Sequence, residues 1–356
     1  MEQFICRPDL LELISIPAYT VTDGIVEAAN GGAQNLLITP GTSAEALVET
    51  GLEDYRTLAD GCCLSLVIRT GEKRFCAFAR REGERDLIIL DQEENDPIQL
   101  ALSMASSSFR TPLSTIINGI HNFRNAQPEL DPKAGRYLND VTKGAYQILR
   151  LVANMSDVIP YTQEPLYCQV VDLVQELRQT VEKAAVMLEK RIQVRFVSEM
   201  TEQIATVNMV KVERAVHNLL LNAATYASQT EAPWVQVELK RVENRLHIIV
   251  TDNGRGISDL VFSSLFNRYR RTPSIENCRY GIGLGLPLAR LVAAAHGGTV
   301  LVERLSPGTR VTMTLNVLGS NIPILKAPNY YFDYASEFDH TLVELAPMVP
   351  SEFYDM

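Results

Sequence analysis

The sequence predicts an α+β multidomain protein with three parts. These are a mixed unit of short strands and helices, a two-helix antiparallel hairpin, and an α/β sandwich of helices on a sheet. Three patterns carry this expectation. Short β-prone runs separated by Asp23-Gly24, Thr70-Gly71 and Glu82-Gly83 fill the first segment, residues 1–92. Two stretches with apolar residues at steps of three and four follow in 93–160. Amphipathic helices then alternate with strand pairs through 161–317.

In the first segment, a short helix at 10–14 leads to a strand at Ala18–Thr22. Asp23-Gly24 supplies the positive backbone angles of a tight hairpin turn, and Ile25–Glu27 returns. Short helices are expected at 32–37 and 52–59, then a three-strand meander at 63–69, 74–80 and 86–90. The next segment places Ile98, Leu102, Ala105, Phe109, Leu113, Ile116, Ile120 and Phe123 on one helical seam. Leu138, Val141, Ala145, Ile148, Val152, Met155 and Ile159 form a second, beyond the breaker-rich AQPELDPKAG loop. A lone hairpin of that length buries little apolar surface, so a homodimer closing a four-helix bundle is expected. The hairpin packed on its own domain is the alternative.

The third segment reads as a helix over 170–190, a strand over 193–198 and a helix over 209–228. A strand pair follows at 235–241 and 245–251, then a helix at 284–296 ended by Gly297-Gly298, and strands at 299–304 and 310–317. Residues 318–356 hold four prolines, several aromatics including Tyr330, Tyr331 and Phe332, and several acids. They show no periodicity and read as a tail whose aromatics could dock on the protein.

Composition excludes several function classes. The 356 residues carry 33 Lys+Arg against 43 Asp+Glu, a net charge of −10 with no basic cluster, which disfavours nucleic acid as a partner. Six cysteines lack C-x-x-C or C-x-x-H spacing, so no zinc site is expected, and scattered thiols fit a reducing cytoplasm. The first residues, MEQFICRPDLLELI, have no basic n-region, and the longest apolar candidate, 281–295, is broken by Pro287 and Arg290. A cytoplasmic protein without a membrane span is expected.

Three clusters in the third segment can carry chemistry. Asn218 and Asn222 lie four apart on one helix, so their amides share a face and could hold a metal or a polar ligand. Asp252-Asn253-Gly254-Arg255-Gly256-Ile257 follows an apolar strand, which puts a carboxylate at a strand end and lets the backbone approach a ligand. Gly281-Ile282-Gly283-Leu284-Gly285 opens a helix whose free N–H groups suit an anion. The last fits neither a dinucleotide fingerprint nor a P-loop. Each cluster alone also reads as ordinary surface, turn or cap.

Taken in order, NLLLNAATYA, DNGRGI, LFNRYRR and GIGLGLPLAR resemble the N, G1, F and G2 boxes of the histidine-kinase ATPase domain, and GTRVTMTL resembles its closing strand. That fold is shared with gyrase, the heat-shock chaperone ATPase and MutL. IPAYTVTDGIVEAANGGAQNLL resembles a PAS domain. The first resemblance, spanning residues 98–317, implies a bacterial sensor histidine kinase with ATP and Mg²⁺ as ligands. It implies Asn222 as the Mg²⁺ ligand with Asn218 beside it, Tyr226 packed on adenine and Asp252 accepting from the adenine amino group. Gly254 and Gly256 would then pass close to the base, and Phe266 and Tyr269 anchor a lid. Arg271 would face the terminal phosphate, with Gly281, Gly283 and Gly285 flanking the triphosphate. Thr225 stands where the family usually has a basic residue.

One departure matters. SSSFRTPL resembles the family's H-box, with Phe109, Arg110, Thr111, Pro112 and Leu113 matching. Ser107 stands where the phosphoacceptor histidine belongs, and Ser108 replaces the acid beside it. Residue 107 falls about 200° around the helix from Ala105, on the solvent side. A serine hydroxyl is a poor nucleophile without a base, and Ser108 is none. His121 returns to a similar face but about 21 Å along the axis. Thr111, which in the family can help orient a water, is retained. Three functions stay open at this point. They are an ATP-dependent phosphotransferase with another acceptor, a nucleotide-dependent dimeric regulator without transfer, and a serine kinase on the same fold. A response regulator or a true histidine kinase is the expected partner.

Overall fold

The computed structural model describes residues 11–12, 14, 16–90, 97–127, 129–156, 167–257, 285–316 and 338–355, except for the side chains of 97–104, 107, 155 and 156. In chain order the N-terminal unit comprises β1 (Ala18–Thr22), β2 (Ile25–Ala29), α1 (Gly31–Gln34), α2 (Ala44–Leu47), β3 (Val48–Thr50), α3 (Leu52–Arg56), β4 (Cys63–Thr70), β5 (Lys73–Glu82) and β6 (Arg85–Leu90). Two long helices follow, α4 (Pro97–Ala126) and α5 (Pro132–Ser156). Then come β7 (Gln169–Asp172), α6 (Leu173–Leu188), β8 (Gln193–Ser198), β9 (Ile204–Val207), α7 (Met209–Ala227), β10 (Trp234–Val242), β11 (Arg245–Asp252), α8 (Gly285–Ala295), β12 (Val300–Arg304) and β13 (Thr309–Asn316). A short helix α9 (His340–Glu344) and a 3-10 turn (Ser351–Tyr354) end the described residues.

Local chemistry accounts for the starts and turns. Asp23 and Gly24 both have positive φ, 52° and 74°, as a tight two-residue hairpin turn requires. Asn30 accepts from Ala33 N–H to cap α1 and from Ala18 N–H, while its amide nitrogen donates to the carbonyls of Ile14 and Ile16. One side chain therefore closes the turn and holds the segment before β1. Asp172 caps α6 by accepting from Val174 N–H, and the same oxygen accepts from Gln203 N–H. Here the expectation of a helix from residue 170 is corrected. Residues 169–172 are a strand paired antiparallel to β9, which the sequence reading missed. Val170 and Val171 favour extended backbone, and the cap at Asp172 sets the helix start.

The strands form an eleven-stranded sheet in the order β2-β1-β6-β5-β4-β12-β13-β11-β10-β8, with β3 also on β4. Its pairs are antiparallel except β8 with β10. The N-terminal strands and the later strands join in this one sheet. β4 pairs with β12 through Cys63 opposite Val302 and Leu64 opposite Leu301. The seam is reinforced by Val300 N–H donating to Ser65 Oγ at 2.7 Å and Thr299 Oγ1 donating to Asp54 at 2.7 Å. Arg245 of β11 also pairs with Asp54. Short β-rich edges give no sequence signal of which other edge they will meet, so this join was invisible to pattern reading.

α6, α7 and α8 pack on one face of the later sheet. Their buried Leu177, Val181, Val216, Leu220, Leu288 and Val292 share one core with Val237, Ile248, Val302 and Met313. α7 buries residues on nearly every side, including His217 and Asn218. That is the expected outcome for a helix covered by the sheet, by α8 and by the C-terminal segment.

α4 and α5 pack against each other, and their apolar residues divide between inside and outside. Leu113, Ile117, Ile120, Ala145, Leu149 and Val152 are buried. Phe109, Ile116, Phe123, Val141 and Ile148 remain exposed by 45–54%. The C-terminal segment 338–355, read from sequence as a tail, contains regular structure. Asp339 caps α9 by accepting from Thr341 and Leu342 N–H, and five helical residues are too few for periodicity to register. Leu342, Val343, Leu345, Met348, Val349 and Tyr354 are buried in the main core. Tyr146 of α5 stacks against Phe338 and, edge-on, against Tyr354 at 5.2 Å. Tyr330, Tyr331 and Phe332 lie outside the described residues.

Candidate nucleotide site

The site is built along one stripe of α7. Residues 218, 222 and 226 are four apart, so they stack on one face as the helix rises. At one end stands Gly285, the first residue of α8. A Cβ placed there would lie 3.2 Å from both Asn218 Oδ1 and Asn222 Nδ2. Both amides therefore meet the N-terminal end of α8, where free backbone N–H groups and the helix dipole favour an anion. Asn222 is half-buried, and its side chain makes no hydrogen bond among the described residues. Asn218 is 1% exposed and fully engaged, which separates the roles of the two amides.

At the other end, Tyr226 meets the end of β11. Gly254 N–H donates to Asp252 Oδ1 at 2.7 Å, closing a turn that holds the carboxylate in place. A Cβ on Gly254 would sit 2.8 Å from the Tyr226 carbonyl, so this glycine is required by backbone packing even without a ligand. Gly256 has φ of +73° and Gly308 of +103°, and a Cβ at Gly308 would fall 1.9 Å from the Asp252 carbonyl oxygen. These contacts press the Gly308 turn onto the Asp252–Asn253 backbone. Asn253 looks outward from the site, accepting from Trp234 N–H and donating to the Ala232 carbonyl. The Arg255 guanidinium lies over the Tyr226 ring, 5.4 Å from its centroid.

Burial raises the Asp252 carboxyl to about 6, against the opposing effect of the Gly254 and Thr309 N–H groups. A buried carboxylate with few donors is suited to accept from a ligand N–H. Thr225, which replaces the expected basic residue, donates its hydroxyl back to the Leu221 carbonyl within the helix.

Of the residues singled out from sequence, Asn218, Asn222 and Gly285 come together at one end, and Tyr226, Asp252 and Gly254 at the other. Gly256 lies next to the Gly308 turn. Phe266, Tyr269, Arg271, Gly281 and Gly283 lie outside the described residues. Ser107 is part of α4, though its side chain lies outside the description, and Ser108 and Thr111 are exposed on that helix. Among the described residues no group of three or more His, Cys, Asp or Glu is placed to hold a metal.

Sequence reasoning missed three charged residues that meet the site. Glu344 of α9, fully buried, pairs with Arg150 of α5 at 3.2 Å and Arg214 of α7 at 3.1 Å. Arg150 also donates to Asn218 Oδ1 at 3.0 Å. The available signal was a charge inside an apolar run. Arg150 interrupts ILRLVA, and Glu344 interrupts TLVELA; Arg214, in the mixed run VKVERAVHNLL, gave no such signal.

A known ATPase family resembles this part of the chain. Residues 208–318 match the family described as histidine kinase-, DNA gyrase B-, and HSP90-like ATPase. Relatives extend the match beyond that module. Sensor histidine kinase WalK of Bacillus subtilis is 22% identical over 342 residues, covering 85% of this chain and 55% of that protein. Sensor histidine kinase YvrG of the same organism is 36% identical over 102 residues, covering 28% of this chain and 17% of that protein. Sensor histidine kinase CusS of Escherichia coli is 27% identical over 215 residues, covering 58% of this chain and 43% of that protein. The chain is thus similar, through its ATPase-like domain and beyond it, to bacterial sensor histidine kinases. It spans about half the length of WalK and less of the other two.

Proposed function

We propose that this chain binds ATP with Mg²⁺ along the α7 stripe and acts, as a homodimer, in two-component signalling. The observation that carries the reading is the pairing of two chemistries at the two ends of one helix face. An open amide at Asn222 beside the Gly285 helix start suits phosphates and their metal, and a buried carboxylate at Asp252 suits the adenine amino group. Mg²⁺ commonly takes few protein ligands alongside phosphate oxygens and water. Asn222 is the side chain that would contribute here, and the ion would neutralise charge on the phosphates. Tyr226 would cover the base, while Arg271, Gly281 and Gly283 would complete the phosphate side.

The exposed Phe109, Ile116, Phe123, Val141 and Ile148 support pairing of α4 and α5 with a second copy. A response regulator or a true histidine kinase is the partner this reading assigns. Domain limits of 1–92, 93–160, 161–317 and 318–356 go with it, the first as a PAS-like input unit.

Ser107 and Ser108 in place of the histidine and its acid favour a nucleotide-dependent regulator over autophosphorylation at that position. Calorimetry with magnesium-ATP is the test. Micromolar-to-millimolar binding is expected, weakened at least about tenfold in Asp252→Ala, since a buried hydrogen bond to a charged group contributes about 1.5–3 kcal/mol. No measurable affinity overturns the reading. Incubation with γ-labelled ATP then sorts the alternatives. The regulator reading expects no label, acid-labile label indicates histidine transfer, and acid-stable label lost in Ser107→Ala indicates serine transfer.

A further inference from the structure

Glu344 is divided between three partners. Oε1 accepts from Arg214 Nε at 3.1 Å, and Oε2 accepts from Arg150 Nε at 3.2 Å and from Asn218 Nδ2 at 3.4 Å. A second nitrogen of Arg150 donates to Asn218 Oδ1 at 3.0 Å, and Asn218 Nδ2 also donates to the Arg214 carbonyl at 3.0 Å. Both ends of the Asn218 amide are therefore fixed by groups from α5, α7 and α9. The same oxygen faces the Gly285 helix start, 3.2 Å from where a Cβ would stand. The arrangement is closed on all sides, with Glu344 and Asn218 at 0% and 1% exposure.

Stability alone does not call for such a cluster, because buried ion groups are often matched by apolar residues of similar volume. A fixed amide orientation is what the ions add. We propose that Glu344 is a positioning residue for the phosphate end of the nucleotide site. Acting directly and through Arg150, it holds the Asn218 amide, and the C-terminal segment is thereby an integral part of the pocket that ties it to helix α5. The proposal rests on the nucleotide reading above. Because the segment and the site share these groups, binding at one must strengthen the other by the same factor.

Calorimetry on the full chain with magnesium-ATP, magnesium-ADP and adenosine tests it. Glu344→Gln is expected to weaken magnesium-ATP about tenfold, the size of one charge-assisted hydrogen bond, with adenosine unchanged because Asp252 lies at the far end. In an Asn218→Ala background the same substitution is expected to have no further effect. Amide hydrogen exchange on the unmodified chain is expected to slow across residues 339–354 when magnesium-ATP is added. That measurement decides the matter if Glu344→Gln does not fold. Equal loss for all three ligands, additive effects in the cycle, or unchanged or faster exchange overturns the positioning role while leaving nucleotide binding intact. A wild-type chain that binds no magnesium-ATP overturns the nucleotide reading itself, and this proposal with it.

Discussion

Asp252 gives the site its own pH dependence. Burial lifts its carboxyl from the ordinary 3.8 to about 6. A ligand amino group that donates to it favours the ionised form, so binding near pH 6 releases a proton. Adenine-nucleotide affinity should therefore rise with pH through about 6 and level off above it, a profile that calorimetry in two buffers of different ionisation heat would detect. An affinity flat from pH 5 to 8 would remove Asp252 from the contact. Asn218, Asn222, Asp252 and Gly285 could be singled out at this scale because they sit in short motifs whose order is informative. Glu344 was not readable. Its meaning depends on Arg150 and Arg214, which stand 194 and 130 residues away in the chain.

At the scale of elements, α4 and α5 show how a correct periodicity can underdetermine its partners. The steps of three and four placed both helices, yet the apolar stripe is wide enough to face two ways. Leu113 and Ile120 turn inward while Phe109, Ile116 and Phe123 face out. A strict seam would have left nothing outside. If the outer row is a dimer interface, replacing Phe109 and Phe123 together with Ser should convert dimer to monomer in light scattering without lowering helix content. A wild-type chain that is monomeric at micromolar concentration would refute the pairing. The strands were legible in the same way, within a residue or two at most ends. The short pair β7 and β9 escaped because four residues seldom show alternation. Sheet order, above all the β4–β12 join, depends on contacts that no local pattern encodes.

At the scale of the whole molecule, three histidines from separate elements resist protonation. Burial lowers the pKa of His217, His247 and His296 from the ordinary 6.5. His296 accepts from Asn208 N–H at 3.0 Å through Nε2, a bond that protonation would abolish. The unfolded chain takes up protons as pH falls through 6.5 while the folded chain refuses them. Stability contributed by the neutral rings is thus present above that value and lost below it. Asp252 works in the opposite sense, since its raised pKa favours the folded form as pH falls from about 6 toward 3.8. Three lowered groups outnumber one raised group, so the melting temperature should fall between pH 7 and 5.5. A melting temperature that rises over this interval would contradict the neutral assignment.

The buried Glu344 cluster also bears on how the chain is made. Arg150 and Arg214 leave the ribosome well before the carboxylate that neutralises them, since synthesis runs from the N-terminus. Until α9 emerges, the two guanidinium groups lack the carboxylate that balances their charge, and burying them without it would cost several kcal/mol. The flank of α7 facing α5 must then stay wet until α9 has been synthesised.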